Sequence, residues 1–303
     1  MFNNSDLILV RYSELGLKAR YTRRKFEDIL VENIKNALKS KHIESRIKKE
    51  RGRIYVYTDE TEKSITILKK IFGIKSVSPA LKTSSNISSI SRYALQIAEK
   101  KLNTDQSFAL RVRRSGSHEF SSQDVAIKVG EKIVNKTGSP VDLTNPDFEL
   151  FIEVRDQNSF LFTEKIECTG GLPLGSQGKV LSLIEKTEDL LASWYLMRRG
   201  CKTIFLTKSS TLYQQIDAFN EDWFNHGGIL VENTDKLYKI ADEIINKQNC
   251  VALITGHSLK ISSNVLPNLK NIKENVSSPV LHPLIALEKD SITKKCRKVG
   301  VLK

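Results

Sequence analysis

The sequence predicts a multidomain α+β and α/β protein, and three observations carry that prediction. Residues 6–81 run strand, helix, strand, strand, helix, strand, the order of a ferredoxin-like unit. A small α+β unit follows. From Gly171 onward short apolar strands alternate with amphipathic helices, the pattern of a doubly wound parallel sheet with helices on both faces. At 303 residues the chain is long enough for two or three such units, each burying a core of its own.

"DLILVRY" (6–12) reads as a buried strand. In "TRRKFEDILVENIKNALKS" Phe26, Ile29, Leu30, Ile34, Ala37 and Leu38 recur at helical spacing, with Thr22 as the expected N-cap. "IESRIKK" and "RIYVYT" flank Glu50-Arg51-Gly52, a hairpin signal. A second amphipathic helix is expected from Thr61 to Phe72, stopped by Gly73, and "IKSVSPAL" supplies the fourth strand. Lys82–Ser91, "KTSSNISSIS", reads as a serine-rich join into the helix "SRYALQIAEKKL". Then come the strand "SFALRVRR", the helix "SSQDVAIKVGEKIVNKT", and the strands "FELFIEVRD" and "SFLFTEKI" around a Gln157-Asn158 turn.

In the last part "KVLSLI", "KTIFLT", "GGILVE" and "CVALITG" are expected strands. "EDLLASWYLMRRG", "TDKLYKIADEIINK" and "EKDSITKKCRKVG" are expected helices, and Ser209–Asn225 finds no place. The expected division is 1–78, 79–170 and 171–303. A ligand site in a sheet of this kind lies at the carboxyl ends of its strands.

Composition narrows the function. Hydrophobic residues make up 40% and charged residues 27%, the proportions of a globular protein. No apolar run approaches the roughly 20 residues that span a bilayer, so no membrane partner is expected. The opening "MFNNSDLILVRYSE" lacks the pattern of a secretory leader, which makes the cytoplasm the expected address. Cys168, Cys201, Cys250 and Cys296 are far apart and the five histidines scattered, so no metal site is expected. The net charge is +13. Residues 1–58 hold 14 Lys/Arg against 7 Asp/Glu, whereas residues 59–172 hold 16 against 15. An excess concentrated at one end fits a surface that docks a polyanion.

Candidate binding residues follow from that excess. Lys18, Arg20, Arg23, Arg24 and Lys25 put five cations in eight residues around a helix start, where backbone N–H groups also meet phosphate. Arg111, Arg113 and Arg114 close a strand, Arg111 and Arg113 sharing one face of it. Lys128 and Lys132 stand one helical turn apart. Tyr12 and Tyr21 suit stacking on unpaired bases and packing in a core equally well.

Five stretches together resemble the tRNA 4-thiouridine synthetase family (ThiI): "RYSELGLKARYTRRKFEDIL", "RVRRSGSHEFSSQDVAIKVGEKIV", "PVDLTNPDFELFIEVRD", "EKIECTGGLPLGSQGKV" and "LHPLIALEKDSITKKCRKVG". The resemblance runs in register from Arg11 to Gly300. It implies a ferredoxin-like domain, a THUMP domain and a PP-loop ATP pyrophosphatase domain, with tRNA held by its acceptor end on the first two. It also leaves room for a homodimer paired through the THUMP regions.

The third domain departs from the resemblance. The family's PP-loop, Ser-Gly-Gly-x-Asp-Ser, stands here as Glu185-Lys186-Thr187-Glu188-Asp189-Leu190. Only Asp189 agrees. Glycines let backbone N–H groups close on a pyrophosphate, whereas Glu185 and Glu188 repel one by roughly 1–4 kcal/mol each. The family's Thr-Gly-Glu-x-Leu-Gly-Gln-Val-x-Ser-Gln becomes "TGHSLKISSN", with Lys260 and Asn264 in altered positions, and Thr234-Asp235 stands for an Arg-Arg pair. The resemblance implies a persulfide cysteine either in an appended rhodanese domain or in a Cys-rich stretch just after the final helix; the sequence up to "KVGVLK" holds neither, so none is expected. Cys201 and Cys296 remain as thiols.

The expectation is therefore a tRNA-binding relative with no catalytic residues of its own and no cofactor, which either presents tRNA to a separate enzyme or chaperones it. The alternative is an ATP-dependent tRNA sulfurtransferase with an atypical nucleotide loop and sulfur supplied by another protein; only then is ATP a cofactor.

Overall fold

A computed structural model describes residues 7–12, 19–50, 52–103, 105–232, 236–259 and 265–302. The chain divides into two compact units. One takes Met1–Arg11, Leu38–Lys69 and Ser76–Glu167, the other Tyr12–Ala37, Lys70–Lys75 and Cys168–Lys303.

The first unit is built on strands β1 (Leu7–Arg11), β2 (Arg46–Glu50), β3 (Arg53–Tyr57), β4 (Ser76–Ser84), β5 (Phe108–Ser115), β6 (Phe148–Arg155), β7 (Asn158–Phe162) and β8 (Ile166–Glu167). They join one sheet in the order β2-β3-β1-β4-β7-β6-β5, with β8 on β4. The ferredoxin-like half and the α+β half thus share β4. Its start pairs with β1 (Ser78 opposite Leu9) and its end with β7 (Leu81 opposite Leu161), both antiparallel. β5 and β6 run parallel, Arg111 opposite Phe151, and β6 and β7 form a hairpin. Helices α3 (Ile87–Lys101) and α4 (Ser122–Thr137) bury Ile90, Ala94, Ala98, Val125, Val129 and Ile133 against Phe108, Leu150, Ile152 and Val154 of the sheet.

The opposite face of this sheet bends over itself. On a flat sheet β3 and β6, four strand spacings apart in this order, would stand about 19 Å from each other, beyond the combined reach of two side chains. Yet Arg53 Nε lies 3.0 Å from Glu153 Oε2, and the rings of Tyr55 and Phe160 stack at 4.8 Å. The concave side holds Leu7, Leu9, Tyr55, Ala80, Phe160 and Phe162.

Three expectations in this unit need correction. Lys82–Ser91 is not a join: Lys82–Ser84 continue β4, and α3 opens at Ile87 with the Asn86 side chain accepting from Ser89 N–H at 2.7 Å. Ile87 and Ile90 reach the core, which draws this polar stretch into the helix. The β6–β7 turn lies at Asp156–Gln157, one residue early, with Asp156 left-handed at φ 46°. The helix expected from Thr61 to Phe72 is α2 (Thr61–Leu68), shorter than its pattern.

Helix α1 (Arg20–Ser40) has residues in both units. It starts two residues before Thr22, the first helical bond running from Arg23 N–H to Ala19 O, so Thr22 is not its cap.

The second unit carries the parallel sheet β11-β10-β9-β12-β13, from β9 (Lys179–Leu183), β10 (Lys202–Thr207), β11 (Gly228–Leu230), β12 (Leu253–Ile254) and β13 (Val280–Leu281). Alternation along β9 fills both faces. Val180 packs with Leu191, Ala192, Ile292 and Cys296 of α5 (Asp189–Arg198) and α9 (Lys289–Lys298). Leu181 and Leu183 face Leu237, Ala241, Ile245 and Ile272 of α7 (Leu237–Gln248) and α8 (Val265–Asn275). The unplaced stretch is α6 (Ser210–Trp223), capped by Ser209, with Ile216, Phe219 and Trp223 buried. Helix α8 and strand β13 were also not anticipated. A two-residue strand is too short to show a period.

Candidate nucleic-acid interface and nucleotide turn

Among the expected phosphate contacts, Arg20 opens α1 and Lys18 lies outside the described residues. Arg24 and Lys25 are exposed, while Arg23 leans on Glu27 one turn on, Nε to Oε1 at 3.8 Å. Tyr21 is 83% exposed, whereas the Tyr12 hydroxyl donates to the Glu27 carboxylate. The two tyrosines therefore differ: Tyr21 is exposed, and Tyr12 is half-buried with its hydroxyl engaged.

On β5 the structure separates Arg111 from Arg113. Alternation puts both on the face opposite the helices, as expected. Arg111 Nε donates to Glu149 Oε1 of β6 at 2.5 Å, which offsets its charge. Arg113 and Arg114 are exposed, as are Lys128 and Lys132 on α4.

Opposite Arg113 on β6 lies a residue with no mark in the sequence pattern. Glu153, 5% exposed, meets Arg11 Nη2 at 3.1 Å, Arg53 Nε at 3.0 Å and Arg155 Nε at 3.4 Å. Burial works to raise the Glu153 pKa, but the Arg53 hydrogen bond and the charges of Arg53, Arg11 and Arg155 outweigh it and hold it below the ordinary glutamate value. No local pattern marks this cluster, because its members come from three distant strands.

In the second unit the expected strand–turn–helix is present. β9 ends at Leu183, the turn follows, and α5 begins at Asp189. Asp189 Oδ2 accepts from Glu185 N–H at 2.9 Å and Lys186 N–H at 3.0 Å. These are donors of the kind a phosphate would need, and a carboxylate of the chain already engages them. Glu185 and Lys186 are exposed, Thr187 donates to Gln215 Oε1 at 2.8 Å, Glu188 is half-buried, and Leu190 is buried in the core. The N–H groups of Glu185 and Lys186 are thus both engaged within the chain. Gly256 closes the other side: a Cβ there would stand 1.9 Å from Asp189 Oδ1, so only glycine fits. Burial pushes the Asp189 pKa up to about 6 against the two N–H bonds.

A further polar group sits at the carboxyl ends of β12 and β13. His257 Nδ1 lies 2.8 Å from Thr255 Oγ1, which lies 2.6 Å from His282 Nδ1. With one hydroxyl proton, Thr255 donates to one ring and accepts from the other. Burial lowers the pKa of both imidazoles, His257 further through Lys186 and His282 through His257. The altered "TGHSL" was the sequence signal for His257. Thr234, Asp235, Lys260 and Asn264 lie outside the described residues.

Neither Cys201 nor Cys296 has a lowered pKa. Burial raises the pKa of Cys201, and burial with the charges of Glu188 and Asp189 pushes Cys296 up to about 11. Among the described residues no three His, Cys, Asp or Glu side chains gather as a metal site, and no helix is long and apolar enough to cross a membrane.

Comparison with known proteins matches three family models: a ThiI ferredoxin-like domain over residues 7–78, a THUMP domain over 84–164, and the thiamine biosynthesis protein (ThiI) over 224–303. The third match starts beyond the 184–188 turn. A protein named probable tRNA sulfurtransferase from Methanobrevibacter smithii is 32% identical over 336 positions, covering 98% of this chain and 87% of that one. Another of that name, from Methanocaldococcus jannaschii, is 34% identical over 97% of this chain and 87% of its own length. The 336 aligned positions exceed the 303 residues here, so the relative carries residues with no counterpart in this chain. Among solved structures, a 4-thiouridine synthetase–RNA complex with bound ATP superposes with a TM-score of 0.83 at 27% identity, covering 98% of this chain and 86% of that one. The Pyrococcus horikoshii protein PH1313 gives 0.84 at 28%, over 97% and 99%. With a fold, a THUMP domain and near full-length similarity in agreement, the chain belongs to the tRNA sulfurtransferase (ThiI) family.

Proposed function

We propose that this chain binds the acceptor end of tRNA through its ferredoxin-like and THUMP parts and does not adenylate the RNA by itself. The exposed cations Arg24, Lys25, Arg113, Arg114, Lys128 and Lys132 serve as phosphate contacts, joined by Arg20, Arg23 and Arg111. Support comes from the THUMP match and from the RNA in the superposed synthetase complex. The observation that carries the second half is Asp189 engaging the N–H groups of Glu185 and Lys186. A triphosphate arriving there would have to displace a buried carboxylate and then sit beside Glu185 and Glu188.

The second reading, an ATP-dependent tRNA sulfurtransferase fed with sulfur by another protein, draws on the likeness to the ATP-bound synthetase. Isothermal titration with MgATP separates the two. Our reading expects no binding tighter than about 100 μM, equivalent to roughly −5.5 kcal/mol. Tighter binding, or 4-thiouridine made by the purified chain given ATP and a sulfur donor, establishes the second reading instead.

A further inference from the structure

The segment after β5 is built around His118, a residue with no part in the reading above. Its ring packs on Phe120, with centroids 5.3 Å apart, and Phe120 packs against the core between the sheet and helices α3 and α4. His118 Nε2 lies 2.7 Å from the carbonyl oxygen of Asp156 in the β6–β7 turn. A carbonyl only accepts, so Nε2 carries the hydrogen. In the neutral ring this leaves the Nδ1 lone pair turned to Arg114, whose Nη1 stands 3.5 Å away and donates to Gly116 O at 3.2 Å. Gly116 makes the loop possible. It is left-handed at φ +95°, and a Cβ on it would meet Asp156 Oδ1 at 2.3 Å. Just beyond, Ser121 and Asp124 close the capping box that starts α4.

The guanidinium of Arg114 is thus held between two acceptors, one backbone and one imidazole, at an exposed strand end. An arginine otherwise samples many rotamers, and fixing it before contact reduces the entropy lost on binding. We propose that His118 is a positioning residue that pre-aims Arg114 at an RNA phosphate. This rests on the RNA-binding reading.

The test measures binding of fluorescently labelled, unfractionated tRNA to the full chain over a salt series. The wild type comes first: no binding there refutes the RNA reading itself. Given binding, Arg114→Ala should weaken it about tenfold, the loss of one charge-assisted contact, and flatten the log K against log salt slope by about one. His118→Ala should weaken binding about fivefold, the cost of ordering a freed Arg114 side chain, and leave the slope near that of wild type, because it removes no lysine or arginine. The double variant should lose no more than Arg114→Ala alone. His118→Gln, which keeps a donor for Asp156 O, should return affinity to within about twofold of wild type. His118→Phe, which keeps the ring contact with Phe120 but neither nitrogen, should behave as His118→Ala does and stands in for it if the alanine variant fails to fold. The proposal is overturned by wild-type affinity in His118→Ala or His118→Phe, by losses that multiply in the double variant, or by failure of His118→Gln to recover.

Discussion

Asp189 combines a structural and an electrostatic role in one carboxyl group. Its Oδ2 holds the 184–188 turn by two N–H groups while Gly256 crowds Oδ1, and this burial moves its pKa from 3.8 to about 6. Between those values the folded chain binds the proton more tightly than the unfolded chain does. The contribution to stability is therefore full below about pH 4 and is lost as pH rises through about 6. The loss is on the order of 2–3 kcal/mol. Asp189→Asn keeps an acceptor for both N–H groups and has no charge to bury. Urea unfolding should find it more stable than wild type by about 2 kcal/mol at pH 7.5 and equal to it near pH 4. A gap of the same size at both pH values would show that Asp189 does not titrate in this range.

At the scale of elements, the bend of the first unit's sheet converts distant strands into neighbours. β1, β3 and β6 each contribute to the ion cluster on Glu153, whose side chain is 7% exposed. Removing the charge leaves Arg11, Arg53 and Arg155 facing one another without their common partner. Glu153→Gln should therefore lower stability by about 3–5 kcal/mol, the usual result of breaking a buried pair from one side, read as a drop in the urea midpoint. The companion change Arg155→Gln, at the longest of the three contacts, should cost far less. Comparable costs for the two would mean that Glu153 is not the hub. Elements also show where local pattern misleads. Asn86 and two isoleucines pull a serine-rich stretch into α3, because side chains on one helical face reach the core whatever the polarity of the others.

For the whole molecule, binding to a polyanion should fall steeply with salt, as counterions are released from phosphate. The structure also ranks the cations. Charge reversal at Arg113 should weaken tRNA binding with little change in stability, since the side chain is exposed. Reversal at Arg111 should weaken binding and lower stability as well, because it sets a second carboxylate beside Glu149. Reversal at Lys270 and Lys273, exposed on α8, should change affinity much less than either; an equal loss at both pairs would mean diffuse attraction with no docking surface.

Much of this was legible in the chain itself. Apolar spacing located most of the strands and most of the helices, since burying one face demands period 2 or 3.6. Five ordered motifs carried the family, and the substituted turn at 185–190 set this chain apart from the family's PP-loop. Tertiary structure alone decided the rest. It paired Arg111 with Glu149, gathered Arg11, Arg53, Arg155 and Glu153 from strands far apart in sequence, and aimed Asp189 back at its own turn. The physical reason is common to all three. Charge compensation and desolvation depend on which groups lie within a few ångströms of each other, a property of the folded chain's path that no local pattern encodes.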